Sequence, residues 1–255
     1  MDIKIPYTPR KHQAYLHKQI DKNRWNVLVC HRRFGKTVCM INHLIRSALL
    51  SKLNNPRFAY IAPTFKQAKS IAWDYMKQFT AKIPHTKFNE TELRVDLPNG
   101  SRITLLGSES PDGLRGIYLD GCVIDEYANV NSKLFPEIIR PALSDRKGYC
   151  VFIGTPMGMN NNFYELYQHA QGAEDWFNYK AKASDTKIVD DDELVKAKEV
   201  MGEKKYNQEF ECDWIANIEG AVYGDVIGKL DDDKQLSRVP YDPSLPVSTA
   251  WDLGV

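Results

Sequence analysis

The order of apolar runs and turn signals in these 255 residues predicts an α/β fold, a mainly parallel sheet with helices on both faces. Three observations carry that expectation. Short apolar runs at 25–30, 57–62, 119–124 and 149–153 are bounded by turn residues. Segments with apolar residues at helical spacing stand between them. The chemically distinctive residues fall at the carboxyl ends of the runs, where open α/β sheets hold ligands.

Taken in order, residues 11–22 suit a short helix entered through Thr8-Pro9. Strand 25–30 feeds a loop, and 37–51 is amphipathic, with Val38, Ile41, Leu44, Ile45, Ala48 and Leu49 on one side. Asn54-Asn55-Pro56 turns the chain into strand 57–62. Pro63-Thr64 opens a helix over 64–80, with Ala68, Ile71, Ala72, Tyr75 and Phe79 inward. Leu93–Leu97 and Arg102–Leu106 flank Pro98-Asn99-Gly100 and read as a hairpin. After strand 119–124 comes a short helix bounded by Pro136 and Pro141, then strand 149–153, ending in Gly154-Thr155-Pro156. From 185 the texture changes: Asp190–Glu193 caps a helix to about 201, and a second short helical run follows Gly202. Thus 1–184 is expected as the core and 185–218 as a small, mostly helical subdomain. The proline-punctuated 219–246 reads as a linker, and 247–255 as the first strand of a further domain.

Composition is that of a soluble globular chain, with 43% hydrophobic and 26% charged residues and a net charge of +1. Charge is nevertheless uneven. Residues 1–37 carry nine Lys/Arg against two acids, whereas 185–233 is rich in carboxylates, which allows a basic face without a basic protein. The five cysteines show no paired metal spacing and read as small apolar residues of a reducing compartment. No run approaches the ~20 apolar residues of a membrane span, and no signal-peptide core is present at the N-terminus. These features lead us to expect the chain inside a cell.

The chemistry concentrates in two places. Cys30-His31-Arg32-Arg33-Phe34-Gly35-Lys36-Thr37 follows a strand and opens a helix, the layout of a phosphate-binding P-loop. In such a loop backbone N–H groups cradle phosphates, Lys36 reaches the β- and γ-phosphates, and the Thr37 hydroxyl binds Mg²⁺. Cys30 stands where the pattern begins with glycine. Some ninety residues on, Cys122-Val123-Ile124 delivers Asp125 and Glu126 at a strand end. The aspartate suits a Mg²⁺ site and the glutamate a base for an attacking water.

The ordered set of motifs resembles the large subunit of tailed-phage terminases, the motors that package viral DNA. The supporting residues are the arginine-bearing loop at 30–37, Gly113-Leu114-Arg115-Gly116, Ile124-Asp125-Glu126-Tyr127 and Gly154-Thr155-Pro156. Gln208-Glu209-Phe210-Glu211-Cys212 and Trp251-Asp252-Leu253-Gly254 complete them. The resemblance implies an ASCE/RecA-like P-loop NTPase core, with the Thr155 strand between the loop strand and the Asp125 strand. It implies Mg²⁺ and ATP as cofactors, with Thr155 sensing the γ-phosphate and coupling hydrolysis to movement. Gln13, within Tyr7–Gln13, is the implied adenine reader, its amide matching N7 and N6–H. Arg32 or Arg33 would neutralise γ-phosphate charge, with Arg102 and Arg115 as weaker candidates acting on a neighbouring subunit. Asp252 matches the first metal ligand of a ribonuclease-H-like endonuclease domain, whose remaining ligands this chain does not supply. Implied partners are double-stranded DNA, a portal protein, a small terminase subunit and other copies of the chain in a ring, in the cytoplasm of an infected bacterium. Two rivals stand beside this reading: a superfamily 2 helicase-type DNA-dependent ATPase, and a nucleotide-binding scaffold without turnover.

Overall fold

The computed structural model of the chain describes residues 5–215 together with Leu230, Gln235 and Ser244. The chain divides after residue 216 into two units, and the sheet belongs to the first. The expected linker (three isolated positions aside), the strand start at 247–255 and Asp252 lie outside the described residues.

Among the described residues eight strands form one sheet: β1 Trp25–Cys30, β2 Arg57–Ala62, β3 Lys87–Asn89, β4 Arg94–Asp96, β5 Arg102–Gly107, β6 Gly121–Asp125, β7 Tyr149–Gly154 and β8 Trp176–Ala181. They lie in the order β3-β4-β5-β2-β6-β7-β1-β8. From β5 to β8 every neighbouring pair is parallel, and the β3–β4–β5 end is antiparallel. Strand β7 lies between β1 and β6, the placement implied for the Thr155 strand. The helices are α1 Lys11–Ile20, α2 Lys36–Leu50, α3 Phe65–Ala68, α4 Asp74–Thr80, α5 Arg140–Ala142, α6 Asn162–Gly172, α7 Ala183–Thr186, α8 Asp191–Met201 and α9 Glu203–Phe210.

The central strands are apolar at almost every position because both faces are covered. Side chains alternate between two cores. Leu28, Cys30, Phe58, Tyr60, Val123, Val151 and Ile153 join the core under α2 and α4. Val27, Val29, Ile61, Ile124 and Phe152 join the core that contains Leu134, Ile138 and Phe163 on the other face. All five cysteines are buried and unpaired, as packing residues.

Three features depart from the sequence expectation. The helix expected over 64–80 is interrupted by a wider π-turn at Lys69–Trp73, which carries Trp73 into the core with its indole N–H on Glu90 Oε2 at 2.6 Å. The hairpin has a third strand, β3, paired outside β4. Between 157 and 184, where no apolar run stands out, lie α6 and β8. Strand β8 is an edge strand whose residues are only half-buried until Ala181, and its Trp-Phe-Asn-Tyr-Lys-Ala sequence reflects that exposure.

Candidate active site

The loop after β1 is shaped by two residues in the left-handed region, Arg33 (φ 71°) and Gly35 (φ 87°). Gly35 caps the N-terminus of α2, and a Cβ there would sit 2.9 Å from Gln13 Nε2. Conformation and space both call for glycine. Cys30 still belongs to the extended strand and is fully buried, so a side chain is tolerated where the motif usually has glycine. His31 is fully buried. Its Nδ1 faces the Arg32 carbonyl at 2.6 Å, which only accepts, so Nδ1 carries the proton. Nε2 then accepts from the Thr186 hydroxyl at 2.8 Å and ties the loop to α7. The N–H groups of His31, Arg32 and Phe34 donate to Ala181 O, Glu209 O and His31 O. A phosphate cradle therefore falls to the first turn of α2, where Lys36, Thr37 and Val38 have N–H groups with no intrahelical partner.

Opposite the loop, β6 ends in Asp125, 5% exposed. Its Oδ1 accepts from Glu126 N at 2.9 Å and its Oδ2 from the Tyr60 hydroxyl. Burial raises the Asp125 pKa; the Tyr60 bond, the Lys36 charge and the Glu126 N–H oppose that rise. Glu126 takes left-handed backbone (φ 46°), turning its carboxylate off the strand axis toward Lys36. Close approach of β7 accompanies this turn: a Cβ at Gly154 would lie 3.3 Å from Tyr127 N and 3.5 Å from Glu126 Cα. Desolvation raises the Glu126 pKa, Lys36 lowers it, and the Asp125 and Glu209 charges add to the rise.

Lys36 joins the two halves. Its Nζ donates to Thr155 Oγ1 at 3.0 Å and to Cys30 O at 3.3 Å, and lies 3.9 Å from Glu126 Oε1. The Thr155 backbone also acts to lower the Glu126 pKa. Lys36, Glu126, Thr155, Arg32, Gln208 and Glu209 line one cavity of about 430 Å³. Lysine, threonine and both acids thus share one strand edge.

Other residues singled out in the sequence are placed as follows. Arg32 lines the cavity, 3.7 Å from Glu209 Oε2, with 58% of its side chain exposed. Arg33 and Phe34 shape the loop; Phe34 is buried, with its carbonyl bonded by Arg10 at 3.2 Å. Gln13 is buried, and its amide serves the backbone: Oε1 accepts from Arg10 N at 3.0 Å and Nε2 donates to Gly35 O at 3.3 Å. Arg102 opens β5 at the far edge of the sheet and pairs with Asp96 at 2.6 Å, while Arg115 lies 3.7 Å from Glu137. The motifs alone assign no chemistry to Tyr60 or to α9. Gln208 donates to Pro156 O at 2.8 Å and the Glu209 carbonyl accepts from Arg32 N at 2.7 Å, which brings α9 against the loop and the Thr155 turn. The available signal for Tyr60 was a phenol in an otherwise apolar strand.

The donor set fits a nucleotide-bound magnesium ion. Among the described residues no three His, Cys, Asp or Glu converge as a self-sufficient metal site. One hydroxyl and one carboxylate are what Mg²⁺ uses when phosphates and waters supply the rest.

Comparison with known proteins adds three findings. A family model described as "Terminase large subunit, T4likevirus-type, N-terminal" matches residues 29–224. The large terminase subunits of Thermus phage G20c and Thermus virus P23-45 are each 27% identical over 182 residues, 64% of this chain and 36% of theirs. The chain therefore spans about a third of the length of these curated relatives. Among solved structures, the Thermus phage P74-26 large terminase ATPase domain aligns with a TM-score of 0.69 at 21% identity, over 82% of this chain and 95% of that one. The large terminase of a thermophilic bacteriophage, solved in complex with ADP, aligns at 0.70 and 16% identity, over 80% and 53%.

Proposed function

Because the chain belongs to the terminase large-subunit family, in the part described as N-terminal, we propose that it hydrolyses Mg·ATP to drive double-stranded viral DNA into a procapsid. The observation that carries this reading is the contact of Lys36 with Thr155 and Glu126, one residue from Asp125. Lys36 holds the β- and γ-phosphates above the first turn of α2. Thr37 and Asp125 hold Mg²⁺, which neutralises charge developing on the phosphates. Glu126 orients and deprotonates the attacking water, and its raised pKa strengthens it as a base. Arg32, at the cavity wall, stabilises the γ-phosphate charge. Thr155, bonded to Lys36, passes a change at the phosphate into the 155–157 turn and, through Gln208, into α9. Gln13 fixes the loop through Gly35 and stands at the edge where the adenine is read.

DNA is gripped mainly at its phosphates, so binding is sequence-independent and weakens with salt. Residues 1–184 act as the motor core and 185–218 as a helical subdomain on it. The whole protein works as a ring with portal and small-subunit partners in the infected host's cytoplasm, and its nuclease function belongs to a ribonuclease-H-like domain beginning near Asp252. Among the described residues no helix is long and apolar enough to cross a membrane.

Glu126→Gln tests the chemistry. Phosphate release by the purified chain falls by about 10²–10⁴-fold while a fluorescent ATP analogue still binds. Turnover that survives the substitution overturns the assignment.

A further inference from the structure

We propose that Tyr60 is a positioning residue that sets the lone pairs of the Mg²⁺ ligand Asp125; the inference rests on the proposed nucleotide site. Tyr60 stands on β2 directly beside Val123 of β6, so its side chain shares a sheet face with Asp125, two residues further on. It is 1% exposed. A phenol buried to that degree is costly unless its hydroxyl is bonded, and phenylalanine would fill the same space without that demand. The one proton of this hydroxyl is spent on a residue of the metal-binding pair: it donates to Asp125 Oδ2.

The direction of this bond is fixed by chemistry: an ionised carboxylate only accepts, so the phenol proton goes to Asp125. Asp125 is held from two sides, with Oδ1 on the Glu126 N–H and Oδ2 on Tyr60. Each carboxylate oxygen keeps a lone pair for the metal or its water. Groups that orient metal ligands in this way change metal affinity by about 10–100-fold when removed.

The test is a titration of a fluorescent ADP analogue on the intact chain, in EDTA and at increasing Mg²⁺, comparing the original protein with Tyr60→Phe. The expected result is unchanged affinity in EDTA, with the Mg²⁺ concentration for half-maximal tightening raised about 10–100-fold. A merely structural role would weaken binding in EDTA as well, or lower Tm without moving the Mg²⁺ midpoint. If the phenylalanine variant does not fold, Tyr60→Met, also without the hydroxyl, carries the same measurement. A midpoint within about twofold of the original, well short of that range, overturns the inference and leaves the nucleotide site standing. Absence of Mg²⁺-dependent binding in the original chain overturns the site itself, and this inference with it.

Discussion

Two buried aspartates bracket strand β6, and they are solved in opposite ways. Asp120, 7% exposed, enters the strand at the edge away from the loop. It accepts from Arg57 N at 2.7 Å and from Arg146 at 3.4 Å, while Arg146 stacks 4.5 Å over Tyr118. A cation and a backbone donor pair with it, and an aromatic plate backs the cation. Asp125 leaves the strand at 5% exposure with a phenol and its own chain's N–H as donors. Its nearby cation, Lys36, bonds to Thr155 and Cys30 instead. A buried carboxylate with full compensation stabilises a fold. One whose compensation is partial is available to a metal. Burial alone therefore does not mark a site; the donor set does.

Substitution separates the two ends of the strand. Asp125→Asn is expected to have the largest effect, lowering steady-state ATP turnover by about 10²–10³-fold. Tm should hold, because an amide of equal size replaces a buried charge. Asp120→Ala should do the reverse. It strands the Arg57 N–H and removes the Arg146 partner, at about 1–3 kcal/mol, read as a Tm lowered by about 2–12 °C, with turnover per folded molecule intact. A loss of turnover at constant Tm in Asp120→Ala would end the distinction between them.

A stacked histidine pair, His43 buried and His17 half-buried, obeys the same rule, with the smallest expected effect. His17 on α1 and His43 on α2 stack at 5.3 Å, with their Nδ1 atoms 3.0 Å apart. Tyr7, Cys39, Asp21 and Arg46 face them. Burial lowers His17 to about 4 and His43 to about 3, from an unfolded value of about 6.5. Between about pH 6.5 and 4 the unfolded chain binds more protons than the folded one, so stability falls as pH falls, by up to about 1.4 kcal/mol per pH unit for each histidine. A Tm series from about pH 7.5 to 5 should show this slope, and His43→Phe, which leaves His17 in place, should reduce it by about half. Nucleotide affinity per folded molecule should be the same in both proteins. A slope unchanged in the variant removes His43 as a source.

Much of the fold is legible in the chain because its signals are local. Strands buried on both faces must be largely apolar, so β1, β2, β6 and β7 announce themselves, and β1, β6 and β7 each run into a turn that carries chemistry. Gly35, Lys36, Thr37, Asp125 and Glu126 follow from that logic. Strand β8 does not, because an edge strand exposes one side and its composition relaxes accordingly. Helix α6 carries few fully buried residues and gives an equally faint pattern.

The linear order of residues specifies the kind of site: a loop, a lysine and two acids at strand ends. The assembled sheet selects the groups that complete it. Tyr60 reaches Asp125 only because β2 and β6 are neighbours, and His31 reaches Thr186 across 155 residues of chain. Arg32 rather than Arg33 lines the cavity because left-handed backbone at Arg33 turns the loop between them. Such contacts depend on strand order and backbone handedness across distant segments. No local run of residues encodes a distance between two of them, so these partners become visible only in three dimensions.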